Sequence, residues 1–202
     1  MQFETSEPGR GRSREFDRDE VVDQALLVFW GLGYNRTTTR VLEGRLGLNQ
    51  SSIYHAFGSK RALLDAVLDR YEERLAREVF EPSVLAGERA VEVLGMLFWR
   101  WVSDDAHRGC MLLNLEAELR TDDACRGRVG AHRRAFRDTV AAAVTAGGTT
   151  CAPFDDVVQL VVAALTGLMV GAVVDEPDVG AVMATALSRR WPCLHEPTTT
   201  PT

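Results

Sequence analysis

A long apolar stretch near the end of the chain constrains its fold more than any other feature. Residues 157–174 lie between two aspartates, and among these eighteen residues only Gln159 and Thr166 are polar. A helix that is apolar on every face must be buried on every face. Two environments meet this requirement: a lipid bilayer, or the space between the protein's own core and a second subunit.

The residues in and around this stretch favour the second environment. Eighteen residues are at the lower limit for crossing a bilayer, and no Lys or Arg stands beside the stretch to mark a cytoplasmic side. Gly167 and Gly171 are four residues apart, a spacing that lets a partner helix approach closely. We therefore expect burial within a homodimer and no membrane association.

Helical periodicity extends through the rest of the chain, and no segment alternates strictly enough to predict a strand. After four helices between residues 17 and 75, further helices are predicted at about 84–102, 110–119, 123–146, 155–174 and 178–191. The fold class is therefore all-α. Residues 1–16 are expected to form a flexible arm and residues 193–202 a flexible tail, with domains at 17–71 and 72–192.

Two short helices joined by a glycine turn are predicted between residues 38 and 57. The threonines at 37–39 offer an N-cap for the first helix, Gly47 ends it, and Asn49 offers an N-cap for the second. A helix-turn-helix of this kind fits the major groove of DNA, which is about 12 Å wide. The outward positions of the second helix are polar, as a groove contact requires, and they comprise Gln50, Ser51, Ser52, Tyr54 and His55.

The distribution of charge supports contact with nucleic acid. The net charge of the chain is −6, yet residues 36–61 contain five cations against one acid, Glu43. A basic segment within an acidic chain indicates a localised phosphate contact. Lys60 is the one lysine among the 23 cationic side chains, and its position at a helix start favours a compact contact with phosphate.

The residues of this motif resemble those of the TetR family of repressors. The matching segments are Thr37-Thr38-Thr39, Leu46-Gly47-Leu48 and residues 51–60, and the resemblance covers roughly residues 17–71. It implies a three-helix DNA-binding domain followed by a helical domain that binds a small-molecule inducer and dimerises. The apolar helix and the helix at 178–191 would then form a four-helix bundle across a two-fold axis.

Carried over by position, the resemblance also implies which residues contact double-stranded operator DNA. The third helix reads base edges, while the second helix and the start of the fourth hold phosphates. The groove or backbone contacts are Gln50, Ser51, Ser52, Tyr54 and His55, and the phosphate contacts come from Thr37, Thr38, Thr39 and Lys60. Two residues depart from the family pattern, since Glu43 replaces a small residue and Ala56 replaces a bulkier polar one.

The C-terminal domain offers candidates for an inducer pocket, although most of them are equally suited to a plain core. They are large, adaptable or aromatic side chains on the central helices, together with one polar residue that also suits a turn cap. The candidates are Met96, Trp99, Met111, Asn114, Leu115, Phe136, Val140 and Met169, with Phe98 and Trp101 nearby. An inducer would act by favouring one arrangement of the two domains, with a hinge near residues 71–83.

Other functions are less well supported by the sequence. The four cysteines form no Cys-x-x-Cys pair, so neither a metal site nor a cofactor is expected, and His107 beside Cys110 is only a two-ligand fragment. Glu116 and Glu118 lack the motifs that accompany an enzyme active site. The alternative is a ligand-independent regulator whose body only dimerises. The polar N-terminus lacks a secretory signal, so we expect a cytoplasmic protein.

Overall fold

The computed structural model describes residues 17–103, 109–148 and 153–173, and every regular element within these ranges is helical. The predicted all-α fold is therefore confirmed. The α-helices are α1 (Arg18–Arg36), α2 (Thr39–Leu46), α3 (Gln50–Phe57), α4 (Lys60–Leu75), α5 (Glu81–Leu85), α6 (Ala90–Val102), α7 (Met111–Glu118), α8 (Asp123–Ala146) and α9 (Phe154–Val173).

Side-chain caps begin each of the first four helices. The N-caps are Asp17, Thr38, Asn49 and Ser59, and each side chain accepts a hydrogen bond from a backbone N–H two or three residues ahead. These bonds satisfy amides that have no partner within the helix. The predicted caps at the threonine run and at Asn49 are confirmed.

The first three helices and the start of α4 pack together as a head, and their buried side chains belong to one hydrophobic cluster that continues into the other described helices. Leu26, Phe29, Leu42, Ile53 and Leu63 are at most 1% exposed. The short helices α2 and α3 bury only one side each, because the core lies on one side of them. Their opposite sides are left to solvent, which is the arrangement that a helix-turn-helix needs.

The connection from head to body differs in detail from the sequence expectation. The chain does not leave helical structure after α4: a π-helical turn, Ala76–Phe80, leads into α5, which carries Pro82 in its first turn. Proline is tolerated there because the first turn of a helix does not use its N–H groups. The helix predicted at 84–102 begins only at Ala90, after a short 3-10 turn, Gly87–Arg89.

Helices α6, α8 and α9 form the core of the body. Phe98 and Phe136 pack with ring centroids 5.2 Å apart, and Val158, Leu165 and Leu168 of α9 are buried. One chain does not bury every face of α9, however, since Leu160 is 57% exposed. The helix predicted at 178–191 and both predicted flexible termini lie outside the described residues.

None of the helices within residues 17–103, 109–148 and 153–173 combines the length and the hydropathy needed to cross a bilayer.

Polar contacts at several points join the head to the body. The indole N–H of Trp30 donates to the carbonyl oxygen of Gly109 at 3.1 Å. Arg61, at the start of α4, pairs with Asp122, the N-cap of α8. The backbone N–H of Asn35 donates to a carboxylate oxygen of Glu118 at 2.7 Å. The head is therefore attached to both α7 and α8.

The Glu118 contact depends on a break in α1 at Gly33. This glycine has φ 76° and ψ 177°, a conformation that is essentially restricted to glycine. A Cβ atom there would lie 1.8 Å from Oε1 of Glu118. The missing side chain thus provides the space in which the carboxylate reaches the end of α1.

We predict that Gly33→Ala destabilises the protein by clearly more than Gly47→Ala does. Gly47 also has positive φ, 64°, but a Cβ there meets nothing within 4 Å, so its replacement costs only backbone strain of about 1 kcal/mol. Urea denaturation of both variants measures the difference. Equal losses of stability would contradict the described packing of Glu118 against Gly33.

Candidate nucleic-acid interface

The polar side of α3 is presented to solvent as the sequence predicts. Gln50, Ser51 and His55 are exposed, and Ser52 and Tyr54 are half-buried. In contrast, Ile53 is 1% exposed and belongs to the core. Eight residues of α-helix span about 12 Å, so α3 has a length that the major groove accommodates.

Two acceptors hold the beginning of α3. Asn49 accepts hydrogen bonds from the backbone N–H of Ser52 at 2.8 Å and from the Ser51 hydroxyl at 2.7 Å. A carboxylate oxygen of Glu43 accepts from the backbone N–H of Gln50 at 2.6 Å. In the sequence, Glu43 is the one acid of residues 36–61 and a departure from the family pattern. In the structure it fixes α3 relative to α2, across the turn at Gly47.

A pair of hydroxyl groups makes a second link between α2 and α3. The Tyr54 hydroxyl and the Thr39 hydroxyl lie 3.1 Å apart and form a hydrogen bond. Both residues are half-buried. The pairing places two of the predicted DNA-contacting residues side by side, at the junction of the two short helices.

Lys60 occupies the first position of α4. Its ammonium group lies 4.0 Å from the centre of the Tyr34 ring, a cation–π contact that orients the side chain. Burial lowers the pKa of Lys60, while the charge of Glu118 acts in the opposite direction. The predicted phosphate contact thus lies beside the contact that joins the head to α7.

The structure corrects the prediction for Thr37. Its side chain is completely buried, and its hydroxyl donates to the carbonyl oxygen of Gly33 at 2.6 Å. Thr37 therefore stabilises the end of α1 and is not available to DNA. Thr38 is exposed and serves as the N-cap of α2.

Exposed arginines surround the helix-turn-helix. Arg36, Arg40 and Arg45 are all exposed, and none forms an ion pair with a carboxylate of the residues that the structure describes. A polar helix face in a motif that also carries unpaired exposed cations suits the binding of a nucleic acid, with its charged phosphates and the hydrogen-bonding edges of its bases.

Family models match both parts of the chain. The model for bacterial regulatory proteins of the tetR family matches residues 21–67, and that for the C-terminal domain of tetracyclin-repressor-like proteins matches residues 85–192. The second match alone covers more than half of the chain. The chain belongs to the TetR family of transcriptional regulators.

Individual TetR-family proteins show the extent of the similarity. The repressors ComR and BdcR of Escherichia coli K12 are 36% identical over 110 residues and 31% identical over 106 residues. Each match covers about half of this chain, 52% and 51%, and about half of the relative, 52% and 54%. A structure of a CifR cysteine mutant complexed with 26-base-pair double-strand operator DNA is similar over 90% of this chain and 100% of that one. Its TM-score is 0.70, with 26% identity.

The body of this TetR-family chain contains a cavity of about 290 Å³ between α7, α8 and α9. Its volume is close to the lower end of small-molecule pockets, about 300 Å³. Two of the eight sequence candidates, Phe136 and Met169, line it. The other lining residues are Leu113, His132, Arg133, Val162 and Thr166.

The remaining six candidates do not line this cavity. Met111, Leu115 and Val140 are at most 1% exposed and belong to the core, whereas Met96 is 47% exposed. Trp99 and Asn114 are half-buried. Helical spacing predicted that these side chains lie on central helices, but it does not distinguish a cavity wall from a filled core.

His132 is a cavity residue that sequence reasoning missed. It is 7% exposed, and its Nε2 atom lies 3.7 Å from the Cys110 sulfur. Burial and the charge of Arg133 lower the pKa of His132 to about 4. The sequence did contain a signal for it: His132 is one helical turn before Phe136, so the two side chains lie on the same face of the helix.

Within the described ranges, no three His, Cys, Asp or Glu side chains are grouped to hold a metal ion. His107, the other half of the two-ligand fragment with Cys110, lies outside these ranges.

We predict that Lys60→Ala weakens binding to specific and non-specific DNA alike. Removal of one phosphate contact reduces the slope of log affinity against log salt concentration by about one. Fluorescence anisotropy over a salt series measures the slope. Arg137→Ala, at an exposed position of α8, is the control and should leave it unchanged. An unchanged slope in Lys60→Ala would remove this residue from the phosphate contacts.

We predict that Glu43→Ala lowers the free energy of unfolding by about 1 kcal/mol, because the Gln50 N–H loses its charged acceptor at a helix start. Glu43→Gln keeps an acceptor oxygen, so its free energy of unfolding should fall by less than that of Glu43→Ala. Chemical denaturation compares the two variants. If the two variants lose equal free energy of unfolding, the hydrogen bond to Gln50 does not contribute to stability.

We predict that stability falls as pH decreases from 6.5 to 4 through His132. The unfolded chain takes up the imidazole proton near pH 6.5, whereas the folded chain takes it up only near pH 4. The difference corresponds to about 3 kcal/mol over that range. Denaturation of the wild type and of His132→Gln at several pH values measures it. Parallel pH profiles for the two proteins would contradict this assignment.

Proposed function

We propose that this protein is a DNA-binding transcriptional repressor that acts as a homodimer and leaves its operator when a small molecule binds. The observation that carries the proposal is the exposed polar side of α3, held by Glu43 and Tyr54 and lying beside Lys60. Membership of the TetR family supports the same function. Because such a repressor must reach its operator DNA, we expect it in the cytoplasm.

In this proposal, the residues of the head have two different tasks. Gln50 and His55 are exposed on α3 and carry the hydrogen-bonding groups that read base edges, while the small side chains of Ser51 and Ser52 allow close approach to the backbone. Phosphates are held by Thr38, Thr39 and Lys60, with Tyr54 oriented by Thr39. Phosphate contacts supply affinity and base contacts supply specificity.

Dimerisation is proposed through α9. The exposed Leu160 lies on this helix, away from the side that Val158 and Leu165 bury within the chain. A second copy would cover the apolar surface that one chain leaves open. Two heads would then read two half-sites of a palindrome about 34 Å apart, which one short helix cannot do alone.

Release by an inducer is proposed through the cavity between α7, α8 and α9. Leu113 of α7 lines this cavity, and Glu118 at the end of the same helix holds the Asn35 N–H of the head. A ligand that binds one position of α7 better than another therefore shifts the orientation of the head. The shift is limited by the difference between the two affinities.

The first test is the anisotropy of the purified protein with DNA from upstream of its own gene, against a scrambled sequence, over a salt series. We expect at least about 10³-fold tighter binding to the operator and a steep decrease of affinity with salt. Weak binding that is equal for both DNAs would contradict a specific repressor of this promoter.

We predict that Leu160→Glu converts the dimer into monomers, because a charge in an apolar interface is costly to desolvate. Sedimentation velocity measures the change. Leu85→Glu is the matched control, since Leu85 is 85% exposed on α5 and lies outside the proposed interface. A Leu160→Glu variant that still sediments as a stable dimer would place the interface elsewhere.

A further inference from the structure

A second cavity lies where the head meets the body. It has a volume of about 390 Å³, within the range of small-molecule pockets, about 300–1,000 Å³. Trp30 of α1, Arg74 of α4, and Arg100 and Trp101 of α6 contribute to its wall. It shares no lining residue with the cavity in the body.

The aromatic part of the wall consists of the half-buried Trp101, with Trp30, which is 5% exposed, packed behind it. The rings of Trp30 and Trp101 have centroids 5.4 Å apart and are inclined by 40°. The N–H of Trp30 donates to the Gly109 carbonyl, and that of Trp101 donates to the Tyr71 hydroxyl at 3.4 Å. A ligand in contact with these indoles therefore gains most from a flat apolar or aromatic surface.

The charged part of the wall favours an anion. Arg74 donates to Glu78 at 3.0 Å and lies over the Trp101 ring at 5.6 Å, and Arg77 also donates to Glu78. Two arginines thus neutralise the one acid in the wall. Arg100 is exposed and forms no ion pair with a carboxylate in the described part of the chain. It remains able to bind a carboxylate or sulfonate through two parallel hydrogen bonds.

We propose that this junction cavity is a second ligand site, for a planar aromatic anion such as an aryl carboxylate or aryl sulfonate. The ring of the ligand lies against the exposed part of Trp101, with Trp30 behind it, and its anionic group pairs with Arg100. Because the wall combines a residue of the head with residues of α4 and α6, the site is complete only in one orientation of the head. Occupancy therefore changes the affinity of the protein for DNA.

The binding test uses calorimetric titration of the full chain with 2-naphthoate, without DNA, so it does not depend on the proposed repressor function. We expect one saturable site per chain. We also expect about tenfold weaker binding for Arg100→Gln and for the neutral analogue 2-naphthamide, because each loses a charge-assisted hydrogen bond. Arg137→Gln, at an exposed position on α8, should bind as the wild type does.

Three results would overturn the site: no saturable binding, equal binding of 2-naphthoate and 2-naphthamide, or no effect of Arg100→Gln. A further variant separates the two cavities. Val162→Phe narrows the cavity in the body, to which Val162 contributes, and it should leave 2-naphthoate binding unchanged. Loss of binding in Val162→Phe, with binding retained in Arg100→Gln, would place the ligand in the body and overturn the proposal.

The coupling test measures operator affinity with and without saturating 2-naphthoate. We expect a change of at least about fivefold, and the same factor in 2-naphthoate affinity when DNA is saturating, because coupling between two binding sites is reciprocal. Arg100→Gln should abolish the change at the same ligand concentration. Identical operator affinities with and without ligand in the wild type would overturn the regulatory role of this cavity.

Discussion

The attachment of Trp30 to the body is the contact on which the arrangement of the whole molecule depends. This residue belongs to α1 of the head, yet it is only 5% exposed because Tyr71 of α4 and Trp101 of α6 pack around it, with ring centroids 5.0 and 5.4 Å away. Its N–H is satisfied by Gly109. One buried indole thus fixes the first helix of the head against three separate parts of the chain.

Polar contacts around this apolar junction define the orientation of the head more narrowly. Glu118 reaches the end of α1 through the space left by Gly33, and Arg61 joins the start of α4 to Asp122. A hydrogen bond depends on direction as well as distance, so these contacts favour one orientation among those that apolar packing allows. These contacts connect α7 and α8 of the body directly to the end of α1 and the start of α4 in the head.

The same structure explains how an acidic chain presents a basic surface. Acidic residues of α1 and α4 are paired within the protein: Arg70 binds Asp19 and Asp23, and Arg128 binds Asp69 and Glu72. The arginines around α2 and α3 form no such pairs with described carboxylates. The net charge of −6 therefore does not describe the local field at α3, which depends on the nearest unpaired charges.

The sequence by itself determined the features that depend on near neighbours in the chain: the helices of the head, the caps in the threonine run and at Asn49, and the polar outer side of α3. Only the tertiary structure decided that Thr37 is buried, that Glu43 binds the start of α3, and that Phe136 and Met169 line a cavity while Met111 fills the core. Helix periodicity identifies the face that turns inward, since it repeats every 3.6 residues. What that face meets depends on how distant helices cross, and no local pattern specifies this.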